Sequence, residues 1–270
     1  MRLLFFCPRW GQANTNWNIF LNRVKLSGYD GIEASSSQNE KDKDEMLNGL
    51  AKHDLKFIGQ HWETVEPDFE KHYKEFEFRL RDLADAKPIF INSQTGKDYY
   101  SCDQNKKLIS LAKDVAKETG IAVIHETHRG KFSFAAHITK QYLENFPDLR
   151  ITLDISHWCN TAESLLQDQK EGVDLAISRT DHIHARVGFA EGPQITDPSD
   201  PAWNEEMQFH LNCWDKVVEL KKDDQSELTI TPEFGPHPYM MNLPFTQQPV
   251  TDQWDVNEYM MSLLKERYRS

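Results

Sequence analysis

Residues 151–158 read I-T-L-D-I-S-H-W. Ile151, Leu153 and Ile155 are apolar and β-prone, so the stretch opens as a short buried strand over Ile151–Asp154. Asp154 sets a carboxylate into that strand, and His157 places an imidazole three residues on, where the strand should end. A charge inside an apolar strand is costly unless it is paired or holds a metal ion. Disagreement between local pattern and residue choice of this kind marks sites.

Outward from this stretch, short apolar runs alternate with amphipathic helical stretches. The strands expected are Leu3–Cys7, Gly31–Ala34, Lys56–His61, Pro88–Asn92, Ile121–Glu126, Ile151–Asp154, His182–Arg186 and Leu228–Glu233. Between and after them the pattern predicts helices over Asn16–Ser27, Lys41–His53, Asp68–Asp85, Asp103–Thr119, Ser133–Asn145, Ala162–Ser178, Asn204–Lys222 and Val256–Arg267. Eight strand–helix pairs at about 30 residues each match a (βα)8 TIM barrel, with one domain over 1–270. The long irregular stretches Phe189–Pro201 and Phe234–Pro249 follow strands seven and eight, on the face where barrels build active sites.

Strand alternation sharpens the site. If Asp154 points into the barrel, Thr152 does too, while Ile151 and Leu153 face the helices. His182, His184 and Arg186 share one parity of strand seven; Thr229, Thr231 and Glu233 share one parity of strand eight; strand five ends on Glu126. Polar groups converging at a barrel mouth must satisfy one another, hold water or bind a cation. Glu126, Asp154 and Glu233 with one histidine of strand seven, His182 or His184, make a set of hard oxygens plus one imidazole, which suits one divalent ion, Mn²⁺, Mg²⁺ or Co²⁺ ahead of Zn²⁺. Three carboxylates this close would repel strongly without a counter-charge.

The chain has 270 residues and a formal net charge of −12, with 39% hydrophobic and 11% aromatic residues. That is enough to bury a core and rules out wholesale disorder. The acidic balance argues against nucleic acid and anionic membrane as partners. No apolar run approaches the ~20 residues of a membrane span. Cys7, Cys102, Cys159 and Cys213 are far apart, without a C-x-x-C pair, and read as reduced thiols of a cytoplasmic protein. A homo-oligomer is compatible with all of this.

The strand-end motifs H-E-T-H at 125–128, D-I-S-H at 154–157, H-I-H-A-R at 182–186 and T-P-E-F-G-P at 231–236 resemble, in that order and spacing, the xylose isomerase-like barrel superfamily. Its members include sugar phosphate isomerases/epimerases such as D-tagatose 3-epimerase, hydroxypyruvate isomerases and endonuclease IV. The resemblance covers essentially the whole chain. It implies a metal held by Glu126, Asp154, His184 and Glu233, with Glu126 and Glu233 as the acid–base pair and His157 as a substrate ligand. Arg186 matches a substrate-binding arginine, although it stands only two residues after the ligand histidine. Moving a proton next to a carbonyl needs a base, an acid on the opposite face and a Lewis acid, which this set supplies.

Further substrate-binding candidates are His61 at the end of strand three, with a structural role the equal alternative, His128 after Glu126, with a solvated loop the alternative, and Trp10 after strand one; Trp62 and Trp158 also stand at strand ends, with plain core packing the alternative for each tryptophan. His182 is expected one layer below the metal, His125 outward and structural, and Glu33 at most in a supporting role. Pro232, lacking a ladder donor, suggests a bulge that aims Glu233. The substrate expected is a small sugar or keto acid. The competing readings are an inosose-type dehydratase on the same metal site, an endonuclease IV-like repair enzyme, for which the ligand set is sparse and the chain acidic, and a non-catalytic sugar-binding barrel, which would not need two glutamates at the mouth.

Overall fold

The computed structural model describes residues 1–223 and 227–269. Eight parallel strands close into one barrel in sequence order: β1 (Arg2–Pro8), β2 (Gly31–Ala34), β3 (Lys56–His61), β4 (Ile91–Ser93), β5 (Val123–Glu126), β6 (Ile151–Leu153), β7 (Thr180–His184) and β8 (Glu227–Thr231), with β8 paired back to β1. Helices α1 (Trp17–Leu26), α2 (Glu40–His53), α3 (Phe69–Asp85), α4 (Cys102–Thr119), α5 (Ala136–Asn145), α6 (Ser156–Ala162), α7 (Lys170–Ser178), α8 (Asn204–Asp223) and α9 (Gln253–Arg267) connect them. Among the described residues, no helix is long and apolar enough to cross a membrane.

The period-2 reading holds. Outward residues Ile32, Ile91, Ile151, Leu153, Ile183 and Ile230 pack in one cluster with helical Phe20, Leu21, Phe76, Leu80, Leu108, Trp214, Val217 and Met260. Inward residues form a different stack. Leu4, Phe6 and Ile58, with Phe90 against them, fill the lower barrel with apolar volume. Above them the interior turns polar: His182 packs its ring edge-to-face on Phe90 at 5.4 Å, and Thr229, Thr231, Glu33 and Asn92 lie at the same level or just above. The apolar plug is therefore what keeps the polar upper layer away from water at the far end.

Several boundaries move. β4 begins at Ile91 rather than at residue 88, because Pro88 has no ladder donor to give. β6 ends at Leu153, so Asp154 is the first residue beyond the strand, freed from the ladder but still pointing inward. The expected helix over 162–178 is two helices, and the first, α6, begins at Ser156 and carries His157. β7 runs Thr180–His184, leaving Arg186 past its end. β8 stops at Thr231, so Pro232 follows the strand and needs no bulge; the register irregularity lies instead between β6 and β7, at Ile151/Thr152.

Candidate active site

Glu126 ends β5, Asp154 follows β6, His184 ends β7 and Glu233 stands two residues beyond β8. Each side chain is buried, and each offers one ligand atom such that all four atoms lie within 4.8 Å of one another. The sequence-predicted ligand residues thus converge at one point of the mouth. Among the described residues, two other groups with metal-ligating atoms this close overlap the first, Glu33–His182–His184 and Glu126–His128–His157.

The set fits a divalent cation on three observations. His184 Nδ1 lies 2.9 Å from Glu233 Oε2 and 3.7 Å from Glu126 Oε1, off the line a hydrogen bond needs, and it is a buried polar atom without a hydrogen-bond partner. Its Nε2 is tied below to Glu33 at 3.0 Å, the carboxylate–imidazole arrangement that fixes a metal-binding histidine's tautomer. Finally, four buried carboxylates (Glu33, Glu126, Asp154, Glu233) crowd the site against one permanent cation, Arg186, an excess of negative charge that a divalent ion would offset in place of the proton on His184.

The electrostatics record that excess. Burial pushes Glu126 up to about 8, and the neighbouring Glu233 and Asp154 add to the rise against the pull of His184. Burial likewise raises Asp154 despite the Arg186 guanidinium beside it. His184 goes the other way: burial opposes its charge, but Glu233, Glu33 and Glu126 outweigh that and hold its pKa well above the ordinary imidazole value. Glu33, buried but paired with His184 and His182, is held well below the usual carboxylate range.

The supporting residues are more numerous than the sequence reading allowed. Glu33 accepts from Thr231 Oγ1 at 2.6 Å and Asn92 Nδ2 at 2.8 Å, and also contacts His182 Nε2 at 3.1 Å and His184 Nε2 at 3.0 Å; it organises the whole layer under the ligands. Gln60 Nε2 donates to Glu233 Oε1 at 2.9 Å, and Gln94 Nε2 donates to Glu126 Oε2 at 3.2 Å. Gln60 thus holds one oxygen of Glu233, while Gln94 Nε2 spans both oxygens of Glu126, at 3.4 Å from Oε1 and 3.2 Å from Oε2, and Asn92 Nδ2 also reaches Oε2 at 3.4 Å. Asp154 Oδ1 accepts from Ser156 N at 3.1 Å and Ser156 Oγ at 2.5 Å, while Oδ2 accepts from Arg186 Nη2. Strand parity gives a signal for the two glutamines, since Ile58 and Gln60, or Phe90, Asn92 and Gln94, alternate inward.

A cavity of about 460 Å³ opens above these groups, its wall including Glu126, Glu233, Gln60, Gln94, His128, Arg186, Trp10, Trp62 and Tyr239. Trp10 meets Tyr239 edge-to-face at 4.8 Å, and Gly235 is required beneath it, because a Cβ there would overlap the indole. The loops after β7 and β8 are tied together: Gly235 N donates to Gln194 Oε1 at 2.7 Å and Gln194 Nε2 to Gly235 O at 3.2 Å. Arg186 is buried, with its guanidinium 4.9 Å from the Tyr239 ring and its Nη2 2.7 Å from His157 Nε2.

Of the expected substrate ligands, Trp10, His128 and Arg186 line the cavity. His157 does not; it is fully buried behind His128, their ring centroids 3.9 Å apart. His61 is a correction. It points outward, with Nδ1 on Ser93 Oγ (3.0 Å), Nε2 on Thr64 Oγ1 (2.8 Å) and its ring against Phe76, so both nitrogens are occupied away from the cavity. Trp158 is core, its Nε1 donating to Ser133 O at 2.8 Å, whereas Trp62 is 52% exposed at the cavity rim. His125 is structural as expected, bonded to Thr95 Oγ1 and packed on Phe132.

No protein-family model and no curated protein sequence matches the chain. Solved structures do. A probable 3-DHS dehydratase from Bacillus anthracis superposes with a TM-score of 0.62 at 18% identity, covering 99% of this chain and 100% of that one. The 3-keto-D-glucoside 4-epimerase of E. coli gives 0.63 at 15% identity, covering 98% and 100%. A sugar phosphate isomerase/epimerase from Parabacteroides distasonis gives 0.61 at 12% identity, covering 98% and 93%. At these identities the likeness is one of fold: over nearly its full length the chain shares the (βα)8 barrel of those three structures.

Proposed function

We propose that this protein is a metal-dependent isomerase or epimerase that moves a proton on the carbon next to the carbonyl of a sugar, a sugar phosphate or a hydroxy-keto acid. The observation that carries the reading is the pair of buried glutamates, Glu126 and Glu233, entering one cavity from β5 and from beyond β8, each pinned by its own glutamine and both beside His184 and Asp154. Glu126, Asp154, His184 and Glu233 are the residues that would hold a divalent ion, Mn²⁺, Mg²⁺ or Co²⁺ ahead of Zn²⁺. Bound there, the ion would supply Lewis-acid polarisation of the substrate carbonyl oxygen.

The chain's own groups do the rest. One glutamate takes the proton from the carbon and the other returns a proton from its side of the cavity. The glutamine amides orient the two carboxylates for proton transfer, Gln60 through one oxygen of Glu233 and Gln94 across both oxygens of Glu126. Arg186 pairs with Asp154 and opposes the rise that burial imposes on its pKa, and Trp10 and Tyr239 present apolar ring surface to the substrate's C–H face. The dehydratase alternative uses the same base and differs at the leaving group, since a hydroxyl β to the carbonyl departs as water.

The test is solvent deuterium exchange into a panel of ketoses and keto acids, with Glu126→Gln and Glu233→Gln alongside. Exchange at the carbon next to the carbonyl, lost by at least 10³-fold in either variant with the melting curve retained, is the expected result. Full exchange in either variant removes the acid–base assignment, and loss of water in place of exchange selects the dehydratase.

A further inference from the structure

The cavity reaches beyond the chemistry just described. The glutamates enter it from β5 and β8, but the barrel is closed in sequence order, so the loops after β1, β2 and β3 border a different sector of the mouth from β5–β7. Those loops add Arg9, Trp10, Ser36 and Trp62 to the wall, and α1 and α2 add Trp17 and Asp42. At about 460 Å³ the cavity falls in the range, roughly 300–1,000 Å³, that takes drug-sized ligands, more room than one small sugar ring fills.

Two polar atoms at this outer end lack partners. Ser36 is only 7% exposed and lines the cavity, yet its Oγ makes no hydrogen bond. Arg9 Nη1 is likewise buried without a partner, although Nη2 donates to Thr15 O at 2.5 Å and the guanidinium rests on the Trp17 ring at 4.1 Å. Buried polar atoms are rarely left unpaired, and those that are call for an absent partner. Asp42 accepts from Trp17 Nε1 at 2.8 Å and stands within electrostatic reach of Arg9. Arg9 and Asp42 cancel in charge, and the cavity's other arginine, Arg186, is already paired with Asp154. The outer end thus offers a donor, acceptors and indole faces but no net positive charge. Hydroxyls and C–H faces match that lining; a phosphate or carboxylate does not.

We propose that the outer half of the cavity binds a second, uncharged sugar ring, so that the substrate is a keto-disaccharide or keto-glycoside and not a sugar phosphate. The assignment rests on the sugar-processing reading of the inner site. Asp42 and Ser36 bind hydroxyls of the outer ring, and Trp62 and Trp10 flank it.

The test is calorimetric binding of lactulose, maltulose, isomaltulose, D-fructose and D-fructose 6-phosphate to the wild-type protein, Asp42→Asn and Ser36→Ala, with melting curves as the folding control. At least one disaccharide is expected to bind tenfold or more tighter than D-fructose, with D-fructose 6-phosphate no tighter than D-fructose. Each variant is expected to cut the disaccharide's advantage to threefold or less. Tightest binding by D-fructose 6-phosphate, equal binding of disaccharides and D-fructose, or an advantage that survives both substitutions overturns the proposal. Deuterium exchange is scored separately. Exchange without disaccharide preference removes the outer subsite and leaves the proton-transfer reading; disaccharide preference without exchange does the reverse.

Discussion

Replacing Glu33 by glutamine is the sharpest single perturbation the site offers, because it changes one buried oxygen and nothing on the cavity wall. In the native layer Glu33 meets four side chains: His182, His184, Thr231 and Asn92. Glutamine keeps one acceptor oxygen but turns an –NH₂ donor towards groups that are themselves donors. The positive charge that Glu33 helps hold on His184 loses its nearer partner below the ligand layer. Breaking a buried pair from one side costs about 3–5 kcal/mol. For a chain of 270 residues, that lowers Tm by about 5–9 °C. With the His184 ring no longer fixed, affinity for Mn²⁺ should fall by about 10–100-fold. Thermal melts and metal titrations on the wild type and Glu33→Gln read both numbers. A variant within about 1 kcal/mol of wild type and within threefold in Mn²⁺ affinity would refute the reasoning, since Glu33 would then neither carry the layer nor orient the histidine.

Two further outcomes follow from the same geometry. Gln60→Ala and Gln94→Ala, which release Glu233 and Glu126 respectively, should lower kcat about 10–100-fold in steady-state assays while leaving Tm within a few degrees; unchanged kcat in both would deny them a positioning role. His125, its pKa lowered by burial to about 4, is neutral in the folded barrel, so the unfolded chain binds more protons between pH 4 and 6.5 and the protein loses stability as pH falls through that window. The loss from this one group at pH 5 is about 2 kcal/mol, so His125→Asn should show a stability drop between pH 7 and pH 5 about 2 kcal/mol smaller than wild type in urea titrations, and equal drops would contradict the assignment.

The sequence made the barrel readable because each strand is a short apolar run followed by a helix at regular spacing. It made part of the site readable because period-2 alternation separates Asp154, His184 and Glu233 from outward Leu153, Ile183 and Ile230. The same rule explains the error at His61. Gln60 and His61 are adjacent, a one-residue step reverses the face, and the more reactive residue drew the assignment that belonged to its neighbour. The period was there to be counted from Ile58. Helix α6 was missed because seven residues are too few for a 3.6-residue period to declare itself, and buried Trp158 and Cys159 make the run look strand-like. Glu33 was undervalued for another reason: its partners on β4, β7 and β8 are 59 to 198 residues away in the chain. The outer end of the cavity was out of reach in the same way, since Arg9, Ser36 and Asp42 meet only once α1 and α2 pack beside each other.

The central claim is that Glu126, Asp154, His184 and Glu233 hold one divalent ion on which the chemistry depends. Calorimetric titration of Mn²⁺ into chelator-stripped protein, with Asp154→Asn and His184→Ala in parallel, tests it most directly. The account predicts one ion per chain, restoration of deuterium exchange at that stoichiometry, and at least a hundredfold weaker binding in both variants. Stripped protein that exchanges at full rate, or Mn²⁺ binding that neither substitution weakens, would contradict it.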